Sequence, residues 1–238
     1  MPLLFDWTIF IMIPPLLLAM WAQNQVKHNY QKYSTMRSAR GYTGEQVARE
    51  LLRLNGITDV QVDRVAGELT DHYDPRSKVV RLSENIYSST SVSALSIAAH
   101  EVGHAVQHNK GYSPLVMRST LVPVVNISSN MAMPLFMMGM MMAAFGGGGA
   151  SFANELMLFG IILFSGVVVF QVVTLPVEFN ASSRAIAMLQ DNNFLNASEI
   201  KPAKDVLNAA ALTYVAAAAS TIASLLRLII IFSRNNRD

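Results

Sequence analysis

Two histidines four residues apart, His100 and His104, enclose a glutamate in the stretch Ile97-Ala98-Ala99-His100-Glu101-Val102-Gly103-His104-Ala105-Val106. At 3.6 residues per turn, both imidazoles lie on one helix face and can converge on a single ion. Neutral nitrogens at this spacing suit zinc, and Glu101 is placed to act as a general base toward an activated water without ligating the metal itself. The chemistry of such a set is hydrolysis. A five-residue pattern with three specified positions also arises by chance. Against chance, two histidines and a glutamate within an apolar helix are costly to bury unless a metal partners them.

Zinc needs a third protein ligand. His108 continues the row, but eight residues rise about 12 Å along a helix, too far to share an ion with His100. It reads instead as a polar residue near the helix end that meets the last carbonyls. Lys110 occupies the place, six residues after His104, where a further histidine would signal another zinc motif. Glu155 falls in a connection between apolar spans, and Asp191, Glu199 and Asp205 sit in polar stretches where a solvated carboxylate needs no explanation. Glu178 remains, in the largely apolar run Pro176-Val177-Glu178-Phe179, with a dipole-stabilised carboxylate at a helix start as its alternative reading. The chain has no cysteine, so the donors must be nitrogen and oxygen.

The elements that position these groups can be read from the flanks. Ser91 or Ser93 caps the start of the metal helix, and Asn109-Lys110-Gly111 ends it. Before it, Thr43-Gly44-Glu45-Gln46 is a capping box opening a helix through Leu54, which Gly56 closes. Val60 and Val62 mark one strand, Leu69 to Tyr73 a second, and Lys78 to Leu82 a third after an Asp74-Pro75-Arg76-Ser77 turn. If the third strand lies at the sheet edge, it can pair with an extended substrate.

The remainder reads as membrane. Of 238 residues, 52% are hydrophobic and only 14% charged, with a mean hydropathy of +0.32. A net charge of +2 argues against nucleic acid as partner. Trp7 to Trp21, extendable to Ala22, is an apolar segment with no basic residue before it and no small-x-small cleavage site after it, which reads as an uncleaved anchor, with a buried core helix as its alternative. Lys27, Lys32, Arg37 and Arg40 follow, placing the next segment in the cytoplasm. Leu121 to Phe145 and Leu156 to Leu175 are two further spans joined through Gly146 to Gly149, read as a flexible turn. The methionine run from Met131 to Met142 reads as lipid-facing or packing surface. The third span returns the chain to the cytoplasm at Pro176, which is expected to open a helix and puts Glu178 on the membrane side of His100 and His104. Asp205 to Phe232 is a long helix with a basic end. Either it crosses, or its first half packs on the catalytic unit and only its end enters the bilayer.

The segments Leu69-Thr70-Asp71-His72-Tyr73-Asp74-Pro75, Ala98 to Gln107, Pro176 to Ser182 and Val206 to Tyr214 resemble those of the YugP-type neutral zinc metallopeptidases over nearly the whole chain. A more distant resemblance is to HtpX-type membrane proteases. There the glutamate is followed by Ala-Asp, with the aspartate expected to orient a ligand histidine. Here the residues are Ala181 and Ser182, so Asn180 or Asp71 is a substitute for that role. Asn208 and Tyr214 are further residues that could face the site, Tyr214 as an oxyanion donor or as a structural tyrosine.

The expected fold is mainly α: a multi-span membrane protein with a small α+β, zincin-like cytoplasmic catalytic unit built around the His-Glu-x-x-His helix. Residues 1–22 form the anchor, 23–120 the catalytic unit, 121–175 a two-span hairpin, 176–204 the third-ligand helix and loop, and 205–238 a hydrophobic helix with a basic tail. The expected function is zinc metalloendopeptidase, with one Zn2+ per chain on His100, His104 and Glu178 and Glu101 as base. Its substrates would be membrane proteins or peptides at the cytoplasmic face of the cell membrane. The rival reading is a non-catalytic membrane scaffold with a structural or vestigial zinc site, which the Ser182 departure favours.

Overall fold

A computed structural model describes residues 7–144 and 150–236. Residues 1–6, 145–149, 237 and 238 lie outside the described residues, among them Asp6, Phe145, the Gly146 to Gly149 stretch expected to be a turn, and Arg237. The elements in chain order are α1 (Ile13–Ser34, preceded by a 3-10 segment, Trp7–Met12), α2 (Gly44–Leu54), β1 (Gln61–Val65), β2 (His72–Asp74), β3 (Val79–Ser83), α3 (Glu84–Tyr87), α4 (Val92–Asn109), α5 (Ser113–Ala144), α6 (Ala150–Asp191) and α7 (Ala197–Asn235). The fold is thus mainly helical, with one three-stranded sheet. Two compact units divide the chain: Trp21–Val116 with Leu175–Thr213, and Met1–Met20 with Met117–Thr174 and Tyr214–Asp238.

The first unit holds α2, the sheet and α4. Thr43 caps α2 as expected: its side chain accepts from the Gln46 amide, and the Gln46 side chain accepts from the Thr43 amide. The helix buries Val47, Ala48, Leu51 and Leu52, a one-sided stripe against the core. Ser91 caps α4 by accepting from the Ala94 amide. Gly111, at φ +59, ends it, where the amides of Gly111 and Tyr112 return to the carbonyls of His108 and Gln107. Between these ends Ala94, Leu95, Ala98, Ala99, Val102, Ala105 and Val106 are buried, so α4 is the centre of the unit rather than a surface helix.

The sheet order is β1-β3-β2, with β1 parallel and β2 antiparallel to β3. The third strand is therefore central and paired on both sides, which rules out the expected substrate-pairing edge there. β1 and β2 are the edges. The second strand is also shorter than expected: Leu69 has a left-handed backbone, φ +56, and the extended stretch begins only at His72.

The other unit is built from long apolar helices. Among the described residues, four helical stretches are long and apolar enough to cross a membrane: Trp7–Ser34, Ser113–Ala144, Ser151–Asp191 and Ala197–Asn235. Trp7, Phe10, Leu16, Leu17, Met20 and Trp21 are all exposed, the pattern of a lipid-facing helix rather than a core one. In the methionine run, Met131, Met133, Met137, Met138 and Met141 are exposed, while Met140 packs with Phe136, Met157, Ile161 and Leu228. Helices α5 and α6 meet through glycine, as apolar helices do where backbones must approach. A Cβ on Gly139 would stand 2.5 Å from the Ala153 carbonyl, and one on Gly160 would stand 2.7 Å from that of Ala132. Arg227, in the apolar part of α7, donates from Nε to the buried Thr8 hydroxyl at 3.3 Å.

Two boundaries differ from the sequence reading. Pro176 does not open a helix but lies inside α6, which runs unbroken from Ala150 to Asp191. A proline removes one amide donor, a loss that a long packed helix tolerates. The last helix, α7, begins at Ala197 rather than at Asp205; its Ala203 and Leu207 belong to the core of the first unit, one of the two placements expected for its first half.

Candidate metal centre

Glu178, His100 and His104 come together although α6 and α4 are far apart in sequence. Nε2 of His100 stands 3.3 Å and Nε2 of His104 3.5 Å from the same oxygen, Oε2 of Glu178. The imidazole rings stack edge to face with centroids 4.7 Å apart. Glu178 is buried, with 2% of its side chain exposed, and each imidazole retains 13%. Ligand atoms on a tetrahedral ion at zinc's usual bond lengths lie about 3.4 Å apart. The two histidine–glutamate separations match that edge, and all three ligand atoms fall within 4.8 Å of one another. Two nitrogens and an oxygen, nearly dry and turned toward one point, fit a zinc ion.

The approach of the helices explains the convergence. Gly103 lies on α4 between the two histidines, and a Cβ there would stand 2.7 Å from the Ala181 carbonyl oxygen of α6. Val177, Ala181 and Ala185 are buried on α6, so small and apolar residues let the backbones close up. Glu178 and Ser182, one turn apart, then face α4 together.

Each imidazole is held from behind. Ser182 Oγ shares a 3.2 Å hydrogen bond with His100 Nδ1, and Gln107 Oε1 stands 3.0 Å from His104 Nδ1. Ser182 itself therefore occupies the place for which Asn180 or Asp71 was the expected substitute. Asn180 instead accepts from the Gln107 and Arg184 side chains. Asp71 accepts from the Ser83 amide at 2.7 Å and from the Ser83 hydroxyl. Burial pushes the Asp71 carboxyl above the usual carboxylate range; the Ser83 bonds oppose this, and the charge of nearby Glu101 adds to the rise. Glu101 is buried on α4 beside His100.

The other candidates fall elsewhere. His108 is exposed and shares a 2.8 Å hydrogen bond with the Tyr73 hydroxyl, rather than meeting the helix-end carbonyls. Asp191 and Glu155 are exposed. Glu199 is not solvated: it is buried, accepting from the amides of Ala39 and Asn196 and so tying the start of α7 to the segment before α2. Asn208 lines a cleft of about 410 Å³ together with Ser182, Phe179 and Lys204. Tyr214 belongs to the other unit. Gln107 and Arg184 were missed by the sequence reading. The available signal for Gln107 was its position three residues after His104, on the same helix face.

The chain is 49% identical to the "Putative membrane protease YugP" of Bacillus subtilis (strain 168) over 230 residues, covering 97% of this chain and 98% of that protein. No solved structure matches it. A family model described as "Putative neutral zinc metallopeptidase" matches residues 8–233, nearly the full length. The chain belongs to this zinc metallopeptidase family.

Proposed function

We propose that this protein is a membrane-embedded zinc metalloendopeptidase that cleaves membrane-associated proteins at the cytoplasmic face. The observation that carries this reading is the meeting of His100 and His104 with one buried Glu178 oxygen at zinc-ligand separations. In this reading His100, His104 and Glu178 hold one zinc ion per chain. Zinc, when bound, supplies Lewis acidity toward water and the peptide carbonyl. Glu101 takes the proton of the attacking water on its carboxylate and passes it to the leaving amine nitrogen. Burial of Glu178 limits competing water at the ligand oxygen, while the imidazoles keep an accessible edge.

Two features support the location. Lys27, Lys32, Arg37 and Arg40 follow the first apolar segment, which favours a cytoplasmic catalytic unit. Glu178 follows the apolar Leu156 to Leu175 run by only a few residues, so substrates that lie close to the bilayer suit the site. The Ser182 contact to His100 supports the enzyme reading over a non-catalytic scaffold.

The test compares wild type, Glu178→Ala and Glu101→Gln in detergent, by elemental analysis and by cleavage of a membrane-protein substrate panel. About one zinc per wild-type chain, much less in Glu178→Ala, and retained zinc without cleavage in Glu101→Gln are expected. A wild type without zinc after supplementation, or full cleavage by Glu101→Gln, would overturn the reading.

A further inference from the structure

We propose that Arg184, Asn180 and Gln107 form a hydrogen-bond relay of fixed direction that keeps the His104 proton on Nδ1 and so reserves Nε2 for the metal. The proposal rests on the reading that His104 ligates zinc. It assigns these three side chains as positioning residues, none of which touches the ion.

The direction follows from one group that can only donate. A guanidinium has no acceptor, so the 2.7 Å contact from Arg184 Nε to Asn180 identifies the Asn180 atom as its oxygen, Oδ1. The same oxygen lies 3.0 Å from the Gln107 side-chain nitrogen, which must donate to it. That nitrogen also lies 2.8 Å from the Val177 carbonyl, a second acceptor. Both amide hydrogens of Gln107 are thereby assigned. Its oxygen is left facing His104 Nδ1 at 3.0 Å, and an amide oxygen only accepts, so Nδ1 carries the hydrogen.

The reversed amide is excluded by burial. Gln107 is fully buried, and turning it would set its oxygen against the Val177 carbonyl and Asn180 Oδ1 at once, away from bulk solvent. The origin of the relay is itself seated: the Arg184 guanidinium lies over the Tyr112 ring at 6.0 Å, and the Tyr112 amide is bonded to the Gln107 carbonyl. Val177, Asn180 and Arg184 follow one face of α6 at helical spacing, so the relay joins the two ligand-bearing helices beside Glu178. His100 is different. Its partner is a hydroxyl, which can donate or accept, so nothing in that contact imposes a direction.

The experiment measures zinc affinity by chelator competition in the full-length, detergent-purified protein for wild type, Asn180→Asp, Asn180→Leu and Gln107→Met. The melting temperature of each zinc-free form is recorded in parallel. Asn180→Asp keeps an oxygen that accepts from both neighbours and is expected to bind zinc at least as tightly as wild type. Asn180→Leu and Gln107→Met are expected to bind about 10- to 100-fold more weakly, while the zinc-free melting temperature of Asn180→Leu stays with that of Asn180→Asp. Equal zinc affinity in Asn180→Leu and wild type would overturn the relay alone, as would an Asn180→Asp protein as weak as Asn180→Leu. Absence of zinc from the wild type would overturn the metal reading, and the relay with it.

Discussion

Gly103 and the Ala181 carbonyl oxygen are so close that a methyl group on the glycine would stand 2.7 Å from the oxygen. The contact partner is backbone, so it cannot swing away as a side-chain end would. Gly103→Ala must therefore part α4 from α6 at the level of His100 and His104. Overpacking of this kind costs about 1–3 kcal/mol. We expect a lower melting temperature and at least a tenfold weaker zinc affinity, read by chelator competition. A Gly103→Ala protein matching wild type in both would show that the helices separate without disturbing the site.

Ser182 supports His100 through a 3.2 Å contact. Removing it in Ser182→Ala leaves the imidazole without its rear partner and is expected to weaken zinc binding about tenfold or more. Ser182→Asp supplies a stronger acceptor for Nδ1–H and should bind at least as tightly as wild type. Isothermal competition with a zinc chelator separates the three proteins.

Burial holds the Asp71 carboxyl above the usual carboxylate range. An acid with a raised folded pKa imposes no ionisation cost below its unfolded value, a growing cost between the two values, and the full cost above the folded one. Asp71→Asn keeps an oxygen for the Ser83 amide and loses the charge. Its melting temperature should exceed that of wild type at pH 7, with the difference shrinking toward about pH 4. A variant less stable than wild type by the same amount at both pH values would contradict this account.

In the membrane-type helices, Gly160 and Gly166 make a matched pair. A Cβ on Gly160 would meet the Ala132 oxygen at 2.7 Å and the Phe136 nitrogen at 2.9 Å, whereas one on Gly166 meets nothing nearer than Ser128 Oγ at 4.0 Å. Gly160→Ala is expected to destabilise by about 1–3 kcal/mol, and Gly166→Ala to be neutral or slightly stabilising. Thermal unfolding in detergent, followed by loss of helical circular dichroism, distinguishes them.

Local rules made much of this molecule legible before its structure. The Thr43 capping box, the Ser91 cap and the Gly111 stop each depend on neighbours within a few residues, and each is where the sequence puts it. Glu178 was reachable by elimination and by counting apolar spans, and it lies beside both histidines. Long-range pairing was not legible. β3 is central because β1 joins it in parallel, a pairing with no local signature. Glu199 reads as solvated within its own polar stretch, but it is buried and bonded to the amide of Ala39, 160 residues earlier. Pro176 reads as a boundary from its own chemistry, and the helix around it continues regardless.

Gln107 also closes the helix that carries both histidines, since its carbonyl accepts the Tyr112 amide beyond Gly111. Its main chain ends α4 while its side chain seats His104, so the stop signal and the imidazole orientation share one residue. The interval from His104 to Gly111 thus works as a ruler. A surface loop absorbs an inserted residue without consequence, but an insertion in this interval would shift the register of the helix end and be felt at the His104 imidazole.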